Sequence, residues 1–470
     1  MPFDVIAVGG GFAGMVTAAR AGQLGLKVAV LERESEERYR CNSRYTTGVF
    51  SVMGQPARSP MEHLAQTIMK GTDGTAKPEL ARTIGANAGR AADWLIEEGM
   101  RFMAVTTPGG RQLMLGPPRR FKEGLDWEGR GGDYLLRKFE EHLAARGGQL
   151  LRGTRVESLV MEGGRCVGVN AVQNGKPLRL EAGNVAIADG GFQANAEMVK
   201  RYIAPTPERL LVRAAPGGRG DGIRMAEAAG AALSGFGGFY GHLHHIDAMK
   251  NERLWPYPHF DAMAEVSLLV GADGKRFTDE GLGGVFMTNA VARLQDPLGT
   301  FVIYDDAMWK GEPGKAQPVA VNPFLLSGGG WMHSAPDLAS LAKKTGLPAR
   351  TLEETVREYN DAVLNNRVAQ LQPLRTTTRF KPLPIATAPY HAVPLCAGLT
   401  QSMGGIEING HAQALRPDGS AIPGLYAVGA PVSGIEGGPR VGYAGGLCKA
   451  FVLGLVAAEH MAGVQQGAVS

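Results

Sequence analysis

Residues 4–14 read DVIAVGGGFAG, and this stretch determines the fold that we expect for the chain. Its first part, residues 4–8, is an apolar, β-branched run of the kind that forms a buried parallel strand. Residues 13–26 then place small and apolar side chains at helical spacing, and the second buried run, residues 27–31, ends on Glu32. The order of strand, glycine turn, helix, strand and acid predicts a dinucleotide-binding βαβ unit.

Three glycines of this stretch, Gly9, Gly11 and Gly14, fit the pattern G-x-G-x-x-G. We expect Gly9 to permit the tight turn, Gly11 to let a pyrophosphate approach the backbone, and Gly14 to let helix and strand pack closely. The free N–H groups at the helix start would face the phosphates, and Glu32 would accept a hydrogen bond from a ribose hydroxyl. An ordinary strand-to-helix turn is the alternative, and the stretch alone does not separate FAD from NAD.

The composition limits the class of protein. With 470 residues, 44% hydrophobic and 20% charged, the chain should form two or three domains with a large core, and a disordered chain is excluded. The net charge of +4 without a basic run gives no indication of nucleic-acid binding. No apolar run reaches about 18 residues, so no membrane span is predicted. Because the first strand leaves no room for a signal peptide, we expect a cytoplasmic protein.

The four cysteines, Cys41, Cys166, Cys396 and Cys448, are scattered along the chain. None forms a C-x-x-C or clustered spacing, so the sequence supports neither a zinc site, nor a c-type haem, nor an iron–sulfur cluster. They are typical of free thiols in a reducing compartment. Without a redox centre of this kind, the chain would exchange electrons with an external donor or acceptor.

Further glycine-rich motifs give the chain a family resemblance. They are residues 8–14, 42–44, 153–156, 189–192, 220–222, 274–277, 403–406 and 422–429. On these motifs the chain resembles the fumarate reductase/succinate dehydrogenase flavoprotein superfamily, which includes soluble fumarate reductases, urocanate reductases, tricarballylate dehydrogenase and 3-ketosteroid dehydrogenases. The resemblance implies an α/β fold, with a Rossmann-like FAD-binding domain that is split in sequence and an inserted α+β capping domain. The implied limits are residues 1–236 and 386–470 for the FAD-binding domain and 237–385 for the cap.

The same resemblance implies FAD as the cofactor, bound non-covalently because no linking histidine can be placed near residues 44–46. The implied FAD-binding residues lie in the glycine turns and in the loops beside them. They are Gly9, Gly11, Phe12, Ala13, Gly14, Glu32, Arg33, Asn42, Ser43, Arg44, Thr47, Gly48, Arg155, Val156, Asp189, Gly190, Gly191, Asp221, Gly222, Gly429, Gly445, Gly446 and Leu447.

The resemblance also implies residues that bind the substrate. Arg440 matches the carboxylate-binding arginine near the C-terminus of the family, and a guanidinium suits a carboxylate through paired hydrogen bonds. Steroid dehydrogenases have a tyrosine at this place, so Arg440 favours an acidic substrate. Gln401 stands where the family has a second carboxylate-binding histidine, and an amide carries no charge.

The cap histidine and the proton-delivering arginine of the family are less clearly matched. His242 and His244 are candidates for the histidine, and a metal site is the weaker interpretation because no carboxylate partner is evident. The arginine position falls on Gly284, although Glu280 keeps the neighbouring acid, as in tricarballylate dehydrogenase-like enzymes. Tyr443, His244, Glu280 and Arg293 are possible replacement proton carriers, and the sequence does not choose among them.

The sequence therefore predicts an FAD-dependent oxidoreductase of CH–CH groups that transfers a hydride to or from a C–C bond adjacent to a carboxylate. The direction of the reaction stays open, and the expected partners are a small carboxylic acid and an external electron donor or acceptor. One alternative is a 3-ketosteroid-dehydrogenase-like enzyme for a ketone, with Tyr443 or Tyr240 as the acid. Another is a flavin-binding electron-relay protein without turnover.

Overall fold

The computed structural model describes residues 2–107, 109–120, 122–316 and 320–464. The remaining residues, which include the two ends of the predicted FAD-binding segments at residues 1 and 465–470, lie outside this description.

The strands alternate with helices along most of the chain. The strands are β1 (Phe3–Val8), β2 (Val28–Leu31), β3 (Val49–Val52), β4 (Gln55–Pro56), β5 (Phe102–Thr107), β6 (Gly110–Leu115), β7 (Gln149–Leu151), β8 (Thr154–Glu162), β9 (Arg165–Gln173), β10 (Lys176–Ile187), β11 (Leu211–Val212), β12 (Leu233–Ser234), β13 (Phe239–His245), β14 (Leu268–Val270), β15 (Phe301–Asp305), β16 (His333–Ala335), β17 (Tyr390–Ser402), β18 (Gly405–Ile406), β19 (Gln413–Leu415) and β20 (Ala421–Ala427). The α-helices are α1 (Phe12–Gln23), α2 (Asn42–Tyr45), α3 (Met61–Gly71), α4 (Pro78–Glu97), α5 (Gly131–Ala145), α6 (Ala196–Tyr202), α7 (Asp221–Ala228), α8 (Asp261–Val266), α9 (Gly284–Ala292), α10 (Asp306–Lys310), α11 (Val321–Ser327), α12 (Leu338–Thr345), α13 (Ala349–Leu364) and α14 (Gly446–Met461).

The largest sheet is built around the predicted βαβ unit. Its main path runs β19-β20-β10-β1-β2-β7, and β1 pairs in parallel with both β10 and β2. Residues 5–8 of β1 are buried, because β1 lies in the middle of the sheet with α1 packed against it. The apolar helix α14 packs against α1 and is buried along almost its whole length. The predicted α/β fold class, with a Rossmann-like parallel sheet built on the βαβ unit, is confirmed.

A second sheet runs β11-β17-β15-β14, and β13 and β16 also pair with β17. The long strand β17 belongs to the predicted second FAD-binding segment, yet it hydrogen-bonds with β13, β15 and β16 of the predicted cap. The sheet therefore joins the two predicted units, and the limits at residues 237 and 385 stay predictions.

The other strands form a four-stranded sheet, β4-β3-β6-β5, and a two-stranded pair, β12-β18. In the part of the chain that the structure describes, no helix combines the length and the apolar character that crossing a bilayer requires.

Candidate functional site

A cavity of about 500 Å³ extends from the glycine turn after β1 to strand β13. One end is lined by the turn itself, by the loop around α2 and by the start of α14. The other end is lined by Tyr240 and His242 of β13 and by residues 255–257. The cavity thus connects the predicted cofactor site with side chains of the predicted cap.

The glycine turn has the tight geometry that the sequence predicts. Gly9 has φ +110°, and a Cβ on it would lie 2.7 Å from the Ala188 carbonyl oxygen. A Cβ on Gly14 would lie 2.0 Å from the Gly9 carbonyl oxygen, so only glycine lets α1 pack this closely on the turn. A Cβ on Gly11 would meet only the Ser43 hydroxyl oxygen, at 3.2 Å, which leaves this side of the turn open to the cavity.

Glu32 closes the turn from the end of β2. Its Oε2 accepts a hydrogen bond from the Gly10 N–H at 2.9 Å, and its Oε1 accepts one from the Glu34 N–H at 3.0 Å. Burial raises the pKa of the Glu32 carboxyl, while these two backbone bonds favour its ionised form. A carboxylate can accept more than two hydrogen bonds, and Glu32 also lines the cavity. It can therefore accept a further hydrogen bond from a ribose hydroxyl.

Several buried polar atoms in the cavity wall have no hydrogen-bond partner among the described residues. They include Asp189 Oδ1, Gln193 Oε1 and Gln401 Nε2. Burial raises the pKa of Asp189 to about 7. Since buried polar groups are costly without partners, these atoms fit a polar ligand that supplies the missing hydrogen bonds, as the predicted FAD would.

Most of the predicted FAD-binding residues line this cavity. They are Gly9, Gly11, Phe12, Ala13, Glu32, Arg33, Asn42, Ser43, Thr47, Arg155, Val156, Asp189, Gly190, Gly191, Asp221, Gly429, Gly445, Gly446 and Leu447. Four predicted residues do not line it: Gly14, Arg44, Gly48 and Gly222. Gly14 and Gly48 allow close packing, and Gly222 donates its N–H to Asp189 Oδ2 at 2.7 Å. Gly14, Gly48 and Gly222 therefore affect the shape of the cavity although they do not line it.

Arg44 does not line the cavity, and its contacts in the structure are with other side chains of the protein. Its side chain is completely buried, and it forms ion pairs with Asp133 and Glu140 of α5. Its guanidinium carbon also lies 4.6 Å from the centre of the Tyr39 ring. These contacts direct the charge away from the cavity and tie α2 to α5.

We expect Arg44→Ala to lower the free energy of unfolding by about 3–5 kcal/mol, because it leaves the Asp133 carboxylate buried without its partner. Denaturant unfolding followed by tryptophan fluorescence measures this change. Arg58→Ala is the control, since Arg58 and Asp93 form an exposed pair worth about 0–1 kcal/mol. Unchanged stability together with loss of bound FAD would instead support the predicted cofactor contact.

Tyr240 and His242 project from β13 into the cavity, where residues two apart on a strand share a face. The Tyr240 hydroxyl lies 2.9 Å from His242 Nε2, and His242 Nδ1 lies 2.6 Å from Asp261 Oδ2. The Tyr240 ring stacks on Tyr443 with 3.9 Å between centroids. The structure therefore brings two predicted catalytic residues, His242 and Tyr443, together around Tyr240.

Three other predicted catalytic residues lie away from the cavity. Arg440 has a side chain that is 43% exposed; its Nε donates to Asp73 Oδ1 at 2.8 Å, and its Nη2 donates to the Lys70 carbonyl at 2.9 Å. The turn at residues 437–442 points this arginine at the end of α3 and not into the cavity, and its predicted place beside the flavin stays a prediction.

Glu280 and His244 are both buried within the protein. Glu280 forms ion pairs with Arg276 and Arg375, so its carboxylate is already neutralised. His244 Nδ1 lies 3.1 Å from the Pro258 carbonyl oxygen, and burial lowers the pKa of this imidazole. Neither side chain lines the cavity, so the structure does not place them at the predicted reaction site.

Sequence reasoning missed two arginines that line the cavity, Arg119 and Arg213. Arg119 is 4% exposed; its Nη1 donates to the Tyr45 carbonyl at 2.7 Å, and its Nη2 is buried without a partner. Arg213 donates to the Thr400 hydroxyl at 2.9 Å, and its buried Nε has no partner. Within the described ranges neither arginine pairs with a carboxylate. Each stands in a loop without a diagnostic pattern, so only the folded structure identifies them.

His242, His259 and Asp261 are close enough to be considered as a metal site. The two imidazole rings are stacked, however, with centroids 4.3 Å apart and planes 8° from parallel. A bound ion lies in the plane of each imidazole ligand, and stacked planes do not meet at one point. The stacked geometry therefore gives this cluster no support as a metal site.

Comparisons with known proteins agree with this geometry. The family described as "FAD binding domain" matches residues 4–444. An NADH:fumarate oxidoreductase from Klebsiella pneumoniae is 28% identical over 448 residues, which cover 94% of this chain and 45% of that protein. A urocanate reductase from Eggerthella lenta is 26% identical over 495 residues, covering 98% of this chain and 74% of that protein. The chain thus spans less than half the length of the first of these relatives.

A solved structure has a similar fold. It is the 3-ketosteroid-delta4-(5alpha)-dehydrogenase from Rhodococcus jostii RHA1, which is 23% identical with a TM-score of 0.75 and covers 99% of this chain and 97% of that one. At this identity the likeness concerns the fold alone.

Proposed function

The chain belongs to the FAD binding domain family, and from this premise we propose that it is an oxidoreductase that transfers a hydride to or from a C–C bond adjacent to a carboxylate. FAD is its cofactor and would supply or accept the hydride. The observation that carries the proposal is a pair of arginines, Arg119 and Arg213, in the cavity that also contains the predicted cofactor site. Among the described residues, neither of them forms an ion pair with a carboxylate. The named relatives that reduce fumarate and urocanate support it.

The two guanidinium groups make the far end of the cavity positive. Arg119 and Arg213 lie 5.6 and 5.9 Å from the centre of the Tyr257 ring. Burial, together with the charge of Arg213, lowers the pKa of Arg119, which shows that its charge is poorly compensated. A substrate carboxylate between the two groups would provide the missing counter-charge and accept their free N–H bonds.

We propose that FAD is held non-covalently and that an external donor or acceptor exchanges electrons with it. Residues 40–48, which border the cavity, contain no histidine that could form a covalent link. Protein precipitated with acid should therefore release its flavin into the supernatant. Flavin that stays with the pellet would contradict non-covalent binding.

An anaerobic single-turnover experiment tests the proposed function. The FAD-loaded protein is reduced chemically and mixed with unsaturated acids, including fumarate, acrylate and urocanate, and with the matching neutral amides. We expect at least one acid to restore the oxidised flavin spectrum and its amide to be much slower, because only the acid can pair with Arg213. Equal rates for acid and amide would contradict the carboxylate site.

A second candidate function is the oxidation or reduction of a bond beside a ketone. The observation that favours it is the stacked pair of Tyr240 and Tyr443 in the cavity wall, since a tyrosine hydroxyl can donate a hydrogen bond to a carbonyl oxygen. Cyclic enones without a carboxylate are therefore included in the same experiment. Fast reoxidation by enones and not by acids would favour this candidate, and no response to either class would favour a flavin-binding protein without turnover.

A further inference from the structure

We propose that Tyr240 is the residue that exchanges a proton with the substrate, and that His242 and Asp261 form a relay that holds and replaces this proton. The inference rests on the proposed function and names the proton carrier at the same site. The inference is based on the side chains of Tyr240 and His242 on β13 and of Asp261 on α8, which lie within hydrogen-bond distance of one another in that order.

The relay runs from the buried interior to the cavity. Asp261 is 8% exposed and stands at the start of α8. Its Oδ2 lies 2.6 Å from His242 Nδ1, and His242 Nε2 lies 2.9 Å from the Tyr240 hydroxyl. Tyr240 and His242 line the cavity, whereas Asp261 does not. The Tyr240 phenol ends this chain of hydrogen bonds on the cavity side, and His242 lies between it and Asp261, so we assign the contact with a substrate carbon to the phenol.

Asp261 is fixed in the orientation that the relay needs. Its Oδ1 accepts a hydrogen bond from the Leu243 N–H at 3.0 Å, which leaves Oδ2 for His242. A Cβ on Gly284 would lie 1.8 Å from Oδ2, so the carboxylate occupies room that only glycine at this position leaves. Burial alone would raise the pKa of Asp261, but the neighbouring imidazoles of His242 and His259 lower it, so the carboxylate stays ionised.

Tyr240 is held as a neutral proton donor. Burial raises the pKa of Tyr240 to about 12, so the phenol keeps its proton at neutral pH. Its ring is clamped against Tyr443, with planes 11° from parallel. The Tyr443 hydroxyl accepts the Gly446 N–H at the start of α14, at 2.7 Å, so Tyr443 supports the helix terminus and the stack.

Three of the other proton carriers that the sequence allows, Glu280, His244 and Arg293, are engaged elsewhere. Glu280 is neutralised by Arg276 and Arg375, and His244 faces the Pro258 carbonyl. Arg293 is exposed and donates to the Gly237 carbonyl. None of these candidates lines the cavity, whereas Tyr240 does.

In the reducing direction, the proposed step moves one proton from Tyr240 to the substrate and one from His242 to Tyr240. The O–H bond of Tyr240 breaks and a C–H bond forms on the substrate, while the Nε2–H of protonated His242 passes its proton to the phenolic oxygen. When bound, the reduced FAD would supply the hydride, and with it the electron pair, to the other carbon. His242 is left neutral beside the Asp261 carboxylate, and water returns one proton to it after the product leaves. In the oxidising direction each transfer runs in reverse.

The test compares FAD-loaded wild-type protein with Tyr240→Phe, with Tyr443→Phe as the competing acid, and with the control Tyr304→Phe, which removes a buried hydroxyl outside the cavity. Each protein is reduced anaerobically and mixed with the acid or enone that reoxidises the wild type. We expect Tyr240→Phe to slow reoxidation by about 100-fold or more, the usual contribution of a general acid. The affinity of the oxidised protein for the same compound, measured from the flavin spectrum, should stay within about twofold of the wild-type value.

His242→Ala should also slow reoxidation, and added imidazole should restore part of the rate, which a purely structural role of His242 does not predict.

A second measurement does not require turnover and so separates the relay from the proposed function. Proton NMR of the FAD-loaded wild type without substrate should show a far-downfield resonance for the hydrogen bond between His242 and Asp261, and Asp261→Asn should remove it. If no compound reoxidises the wild type, the proposed function fails while this resonance still tests the relay. Absence of the resonance would overturn the relay. So would reoxidation of Tyr240→Phe at the wild-type rate, or a large loss in Tyr443→Phe alone.

Discussion

Gly14→Ala should yield a protein that loses its FAD during gel filtration. The added Cβ would lie 2.0 Å from the Gly9 carbonyl oxygen and 3.4 Å from the Ala188 Cβ, and backbone atoms on the turn cannot rotate out of its way. The start of α1 must then move away from the turn, which displaces the N–H groups that we expect to face the pyrophosphate. Overpacking of this kind costs about 1–3 kcal/mol, so we expect FAD binding to weaken by roughly 10- to 100-fold.

The same substitution elsewhere in α1 provides a matched control. In Gly22→Ala the new Cβ would lie 3.6 Å from the Arg146 Cβ, which is ordinary contact, and alanine favours a helix by about 1 kcal/mol over glycine. This variant should keep its FAD and unfold at the wild-type temperature or above it. The measurement is the ratio of flavin to protein absorbance after gel filtration. Equal ratios in Gly14→Ala and wild type would show that the turn tolerates a side chain there.

The cofactor half of the site was predictable because its information is local. The first strand, the glycine spacing, the helix and Glu32 lie within 32 residues, and each has a steric or electrostatic requirement that a sequence pattern expresses. Most of the residues predicted from these motifs line the cavity. The exception of Arg44 is instructive, because its partner Asp133 is 89 residues away and carries no motif.

The substrate half was less predictable because it depends on contacts between distant segments. The resemblance of residues 437–442 places Arg440 near the flavin, but its ion pair with Asp73 spans 367 residues and holds it at the surface. Arg213 reaches the cavity because it directly follows the short strand β11, which pairs with β17 nearly 190 residues later. Conversely, Tyr240 and His242 were separate candidates from the sequence, whereas their neighbouring acid, Asp261, becomes evident only from the packing of α8.

Arg213→Gln should abolish most of the activity toward acids, and this is the second large effect that we expect. Arg213 has no carboxylate partner within the described ranges, its Nε is buried without a hydrogen bond, and its side chain lines the cavity. Removing one partner of a buried, hydrogen-bonded charge pair costs about 2–5 kcal/mol, so we expect kcat/KM for the acid to fall by about 100-fold or more. The backbone N–H of Arg213 donates to the Leu399 carbonyl at 2.9 Å, and glutamine keeps this bond, so folding and FAD content should be unchanged.

Arg440→Gln is the control, because the structure favours Arg213 as the residue that binds the substrate carboxylate, whereas the family resemblance favours Arg440. Arg440 is half exposed and paired with Asp73, so its removal should change kcat/KM for the acid by less than about twofold.

Added guanidinium should restore part of the activity of Arg213→Gln, because the shorter side chain leaves space for that ion and the substrate carboxylate supplies its counter-charge. The matching amide, which carries no charge, should react at similar rates with wild type and Arg213→Gln. If Arg440→Gln lost the activity and Arg213→Gln kept it, the carboxylate would bind where the family resemblance places it, and the loop at residues 437–442 would have to turn inward when substrate is bound.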